Sequence, residues 1–284
     1  MNKTIMAVGA HADDVEIQFG GTLFKYLDKG YSVVYVQSTN NMSGSKRQRQ
    51  PDGSWKGQGF GAVETMRYRK AECEAAAALF HTTPVHLDHP QRHYRRDDGT
   101  KGEVRYGCDL PPGVPPDVPS ILTAHEDVDS VRRVTDLMLT HDPEIVFSHG
   151  FVDKNPEHTT TALLVTAAYW KAVEAGYRGS LVHSVKVRFQ TGFGRFHGRW
   201  ETWTDVTGFE DRKIESIQKH VSQFPPDFVD GDRYYRAFLA EYGATCGVGA
   251  AELFAFVNPV EPGADDGLLL AELLRNRNHG QCRL

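Results

Sequence analysis

At 284 residues the chain is long enough for one large domain, or two modest ones, around a full hydrophobic core. Its apolar fraction of 40% and charged fraction of 24% are those of an ordinary globular enzyme. A formal net charge of -5 argues against a general nucleic-acid binder, which needs a basic surface to displace counterions from phosphates, and leaves room only for a local basic patch. The four cysteines, Cys73, Cys108, Cys246 and Cys282, are scattered and form no C-x-x-C motif. They are expected to be free thiols in a reducing compartment. The apolar run at the N-terminus is too short for a signal peptide, and it meets Asp13 and Asp14 at once. No stretch approaches the roughly 20 apolar residues of a membrane span. The expectation is a cytoplasmic protein with no nucleic-acid partner and no membrane span.

In chain order, Thr4 to Ala10 reads as a buried strand ending in small residues. Thr22 to Leu27 has helical spacing and stops at Gly30, and Ser32 to Ser38 is the next strand. Strand, helix, strand is the unit of a parallel sheet with a crossover. Asn40 to Gly61 is polar, Gly-rich and locally basic, and reads as a loop. Val63 to Phe80 is a strong helix and Pro84 to Leu87 a brief strand. Residues 88–119, rich in Pro, Gly and charge, form a long insertion loop. Stretches of that length are often lids or binding loops, and Arg92, Arg95 and Arg96 would favour an anionic group. Glu126 to His141 is helical, Pro143 to Ser148 is a strand, and Thr159 to Ala175 is an apolar helix. Strands near Leu181 to Val187 and Thr202 to Val206 follow, then a helix from Asp211 to about Gln223. The alternation predicts an α/β fold, a mostly parallel sheet flanked by helices.

Two segments are dense in metal-binding side chains. Ala10-His11-Ala12-Asp13-Asp14 lies just beyond the first strand, where open α/β sheets place their ligand sites. His11 and Asp14, three apart, can be aimed at one point by a single turn, and both are good zinc ligands. Asp13 between them would be a carboxylate beside the ion, suited to a general base. The spacing alone equally allows a helix cap and a buried histidine. A dinucleotide site is excluded, because the segment is not G-x-G-x-x-G and two carboxylates repel a pyrophosphate. The second segment, Asp153-Lys154-Asn155-Pro156-Glu157-His158, also follows a predicted strand and precedes a helix. If the two strands are neighbours, His158 can complete a site of two histidines and a carboxylate. Glu157 and Asp153 could then orient a neighbouring histidine or carry a proton. By itself this segment also fits a plain helix start.

Together with three further segments, these clusters resemble the LmbE-like / PIG-L superfamily of N-acetylglucosaminyl de-N-acetylases. The A-H-P-D-D-E motif stands as Ala10-His11-Ala12-Asp13-Asp14-Val15-Glu16, with Ala12 in place of Pro and the acidic residue one place later. The D-x-H-P-D-H block stands as Asp153 to His158, and the R-x-x-E pair as Arg69 and Glu72. Lys213 to Gln223, with His220, resembles the K-x-x-A-x-x-x-H-x-S-Q pattern, and Gly247 to Phe254 the G-x-x-x-A-E-x-F pattern. The five lie in the family's order, across roughly residues 4–256.

The resemblance implies a Rossmann-like fold and a single domain over residues 1–258. The tail over 259–284 is charged and Gly-containing, with a short helical stretch at Leu268 to Leu274, and is expected either to dock on a partner subunit or to lie free. The resemblance also implies one zinc per chain on His11, Asp14 and His158, with Asp13 as general base. Arg69 would face the substrate, the alternative being a surface ion pair with Glu72. His220 would line the pocket, the alternative being a packing histidine held by Ser222 or Gln223. Asn155 replaces the histidine assigned to oxyanion stabilisation or to protonating the leaving amine. Its amide can donate to an oxyanion but cannot protonate an amine. Glu157 replaces the family's Asp. The implied activity is zinc-dependent cleavage of the N-acyl, chiefly N-acetyl, amide of an amino sugar or small glycoconjugate. The alternatives are an amidase on a larger conjugate and a catalytically weak metal- or sugar-binding homologue. Relatives often assemble as trimers or hexamers, which leaves a homo-oligomer open.

Overall fold

The apolar run near the N-terminus becomes an inner strand of a seven-stranded sheet. The computed structural model describes residues 3–98, 100–104, 109–186, 188–191, 194–197, 199–257 and 268–276. The chain begins β1 (Thr4–Gly9), α1 (Asp14–Leu27), β2 (Ser32–Thr39), β3 (Ser45–Arg49), β4 (Trp55–Gly59) and α2 (Ala62–Ala77). A short 3-10 turn, Ala78–Phe80, extends α2. Then come β5 (Val85–His89), β6 (His93–Arg95), β7 (Lys101–Glu103), α3 (Val128–His141), β8 (Ile145–Ser148), α4 (Pro156–Glu174) and β9 (Ser180–Ser184). The last elements are β10 (Arg188–Thr191), β11 (Gly194–His197), β12 (Thr202–Asp205), α5 (Glu210–Gln218), α6 (Val229–Cys246), β13 (Ala251–Phe256) and α7 (Leu268–Arg275).

The sheet order is β12-β13-β9-β8-β1-β2-β5. Neighbours from β9 through β5 pair in parallel, and β13 and β12 add antiparallel to the β9 edge. This is the expected α/β fold. Both faces of the sheet are covered, so β1 is apolar at successive positions instead of alternating with polar ones. Ile5 and Ala7 point to the core that holds Phe19, Leu23 and Phe24 of α1. Met6 and Val8 point to the core that holds Val134 and Met138 of α3 and Leu164 and Val165 of α4.

The Gly20-Gly21 pair inside α1 is explained by what packs on it. Glu252 of β13 accepts from the Gly21 N–H at 2.9 Å, the Thr22 N–H at 2.8 Å and the Thr22 hydroxyl at 2.6 Å. A Cβ on Gly21 would stand 2.9 Å from Val206. Lys213 of α5 pairs with Glu252 in the same buried spot and donates to Ile17 O at 2.8 Å. The two late motifs thus meet as an internal ion pair that ties α5 and β13 to α1.

Several boundaries differ from expectation. Helix α1 starts at Asp14 and α4 at Pro156, because the motif residues themselves form the first turns. The loop expected over Asn40 to Gly61 contains the β3–β4 hairpin, exposed and polar on both faces. The 88–119 insertion carries the β6–β7 hairpin, and Tyr94, Val104 and Val114 build a small core with Met42 and Ala62. Helix α5 ends at Gln218, short of the expected Gln223. Helix α6, strand β13 and the β10–β11 hairpin have no counterpart in the sequence reading. The stretch expected to be a tail is described over 268–276, where α7 packs on its own chain through the buried Leu269 and Leu273. Among the described residues no helix is long and apolar enough to cross a membrane. Cys73 and Cys246 are free thiols, and Cys108 and Cys282 lie outside the described residues.

Candidate metal centre

Strands β1 and β8 are parallel neighbours, with Ala7 opposite Phe147, so the segments that follow them open on one edge of the sheet. His11 sits in the turn after β1, Asp14 opens α1, and His158 lies in the first turn of α4. His11 Nδ1 stands 3.1 Å from His158 Nε2 and 3.2 Å from Asp14 Oδ2, and His158 Nε2 is 3.4 Å from Asp14 Oδ1. Ligands about 2.0–2.1 Å from a tetrahedral ion stand about 3.3 Å apart, so this donor set fits one zinc-sized cation.

The other nitrogen of each imidazole is held by a carboxylate. His11 Nε2 is 2.6 Å from Glu157 Oε2, and His158 Nδ1 is 2.9 Å from Asp153 Oδ2. This leaves His11 Nδ1 and His158 Nε2 directed at the common point, the arrangement that orients metal-binding histidines. The carboxylates are held in turn. Gln91 Nε2 at 3.0 Å and the Arg92 N–H at 2.9 Å donate to Glu157, and Lys186 donates to Asp153 at 2.6 Å. Burial pushes the Glu157 carboxyl upward, but the His11 hydrogen bond and charge outweigh it and bring it down to about 2. Burial likewise opposes ionisation of Asp14, yet His158, His149 and His11 hold it well below the usual carboxylate range.

His149 stacks on His158 with centroids 4.2 Å apart. Its Nε2 accepts from the Ala10 N–H at 3.0 Å and lies 3.2 Å from Asp14 Oδ2. Burial is the main cause that lowers its pKa to about 4.

Asp13 sits at φ 109°, in a left-handed region that a non-glycine residue rarely adopts. Arg69 of α2 donates to the Ala12 carbonyl and, at 3.1 Å, to Asp13 Oδ2. The Ala12 N–H donates to Asn41 Oδ1 at 2.8 Å, a bond that proline could not make. Burial raises the pKa of Asp13, and the Arg69 charge works against that rise.

Arg69 is buried, and its pair with Glu72 at 2.9 Å is an internal one, shared with Asp13 and braced by Ser222 on Glu72. Asn155 is the N-cap of α4: its Oδ1 accepts from the Glu157 N–H at 3.1 Å, and it lines neither cavity at the centre. His220 is wholly buried against Glu16, at 3.2 Å, and does not line the pocket as expected. Gln223, three residues on, does.

Two cavities meet at Asp14 and His158. One, about 280 Å³, is polar and is lined by Asp13, Asn41, Ser43, Arg69, Gln91 and Gln223. The other, about 270 Å³, is walled by Tyr234, Tyr235, Phe238 and Tyr242 of α6. Asn41, Gln91 and the α6 aromatics were missed in the sequence. Only the last left a signal, Tyr234, Phe238 and Tyr242 at a spacing of four.

Residues 6–169, more than half of the chain, match the GlcNAc-PI de-N-acetylase family, PIG-L. The chain belongs to this family. A diacetylchitobiose deacetylase of Thermococcus kodakarensis is 24% identical over 263 residues, 90% of this chain and 83% of the relative. An N,N'-diacetylchitobiose deacetylase from Pyrococcus horikoshii, solved with an inhibitor, superposes with a TM-score of 0.62 at 20% identity over 93% of this chain and 88% of its own. A 4-carboxy-2-hydroxymuconate hydratase from Pseudomonas putida superposes with a TM-score of 0.65 at 18% identity over 92% and 98%. These structural likenesses establish the family's fold; a deacetylase and a hydratase share it.

Proposed function

We propose that this member of the PIG-L family is a zinc-dependent hydrolase that cleaves the N-acyl amide of an amino sugar or small glycoconjugate. The observation that carries the reading is the convergence of His11, Asp14 and His158, with the second nitrogen of each histidine held by its own carboxylate. Zinc bound there would supply Lewis-acid polarisation of the amide carbonyl and a lowered pKa for a coordinated water. Asp13 faces the polar cavity beside these ligands and would take the proton of the attacking water. Arg69 holds that carboxylate in place. Asp13, once protonated, is also the group on hand to protonate the leaving amine, because the Asn155 side chain is an amide with no proton to give up at neutral pH. Glu157 serves by orienting His11, and Asn155 by fixing the turn that presents His158. The polar cavity, with Asn41, Ser43, Gln91 and Gln223, suits the hydroxyls of a sugar.

The test is metal content by mass spectrometry together with release of free amine from N-acetylglucosamine and its glycosides, in the wild type and in Asp13→Asn. The expected result is one zinc in both proteins and a rate lower by about 10²–10⁴ in the variant. Zinc bound with no amide cleaved would point to a binding protein. An undiminished rate in Asp13→Asn would remove Asp13 from the chemistry.

A further inference from the structure

The two cavities differ in chemistry, although both open on Asp14 and His158. An amide whose carbonyl reaches that junction must send its amine substituent one way and its acyl substituent the other. Asp13 lines only the polar cavity, and so do Asn41, Ser43, Gln91 and Gln223, the groups that can bond hydroxyls. The second cavity has Tyr235, Phe238, Leu239 and Leu253 on its walls. Of its charged lining groups besides Asp14 and His158, Lys213 and Glu252 pair with each other, Lys186 pairs with Asp153, and Lys154 is exposed, so the paired three make little call on a charged ligand. A water takes about 30 Å³ of liquid and a methyl group is of similar size. An acetyl group would therefore leave most of the 270 Å³ unused.

We propose that the acyl group removed by this enzyme is a hydrocarbon chain much longer than acetyl, roughly six to eight carbons, lying along α6 while the sugar occupies the polar cavity. This rests on the amide-hydrolase reading and adds the substrate class to it. The reaction is an ordinary hydrolysis: the acyl C–N bond breaks, water's oxygen joins the acyl carbon, and a proton of that water goes to the amine.

The test is kcat/KM of the zinc-loaded enzyme for N-acetyl-, N-butanoyl-, N-hexanoyl- and N-octanoylglucosamine, read as free glucosamine. Each methylene added up to hexanoyl should raise kcat/KM about fourfold. Phe238→Trp, which places a larger ring in the apolar cavity, should lower the octanoyl-to-acetyl ratio at least about tenfold. The wild-type series decides the matter even if the variant fails to fold. Cleavage with acetyl fastest and rates falling with chain length would overturn the acyl-chain assignment alone. So would a preference for diacetylchitobiose with no effect of acyl length, which would make the aromatic wall a sugar platform. No glucosamine from any member of the series, with zinc bound, would overturn this assignment and the hydrolase reading together.

Discussion

Asp13 holds a backbone conformation that costs about 1–3 kcal/mol, and the contacts around it show how that cost is carried. Arg69 bonds both the carbonyl before it and its own carboxylate, and Asn41 takes the Ala12 N–H. The family's proline at position 12 would forgo that last bond. Here, therefore, Asn41 does part of the work of a rigid ring. His11 shows the same economy of contacts. Burial works against its charge, but Asp14 and Glu157 together raise its pKa to about 10. Metal on Nδ1 must displace that proton. The raised value means that the metal-free protein carries the proton throughout the neutral range and gives it up only as pH climbs toward 10. Zinc affinity should then rise about tenfold per pH unit between about 6.5 and 8, with about one proton released per ion. Calorimetry in buffers of different ionisation enthalpy measures this. Binding with no proton release at pH 7 would mean that His11 is neutral beforehand.

At the scale of elements, α4 carries a concentrated job. Its first turn holds Glu157 and His158, and its N-cap is Asn155. Asn155→Ala should destabilise the protein by about 1 kcal/mol in denaturant unfolding, and Asn155→Asp should restore most of it. If Asn155 instead worked on the substrate, Asn155→Ala would lower kcat at full zinc occupancy with stability unchanged. The clusters on either side of such turns were legible in the sequence. Each follows a short buried strand and packs histidine and carboxylate into six or fewer positions. The helix starts were read late because catalytic-looking residues, poor as periodic signals, form the first turns. Helix α6 was obscured by Gly231 and Gly243 within it and by aromatic residues that favour strands. Those glycines answer to tertiary contacts: a Cβ at Gly243 would lie 2.6 Å from the backbone at Gly249 and Ala250. The β3–β4 hairpin, with Lys46, Arg47, Arg49 and Lys56, has no apolar alternation to read. The Arg47 N–H anchors it on Ser222 O at 2.7 Å.

Across the whole molecule, the buried runs of β1, β2, β8 and β9 were legible as strands, whereas β13, which lies between β12 and β9, and the docking of the C-terminal cover were not. Leu268 to Leu274 read as a short helix on a tail, with nothing in its local pattern to name its docking partner. Leu269 and Leu273 enter the main core, Glu272 pairs with Lys25 at 2.7 Å, and the Leu270 N–H reaches Glu144 at 2.7 Å. Leu273→Ala should therefore lower unfolding stability by about 2–5 kcal/mol, measured in urea. A loss below about 0.5 kcal/mol would mean that α7 is not a working part of the core. The same sheet brings the ends of β1 and β8 side by side, and the account of function depends on that junction. Anomalous diffraction at the zinc edge, from crystals of the zinc-loaded protein, tests it most directly. The account predicts one peak per chain, about 2.0–2.2 Å from His11 Nδ1, an Asp14 carboxylate oxygen and His158 Nε2. No peak there, or a peak bound through His11 Nε2 with Glu157 displaced, would contradict it.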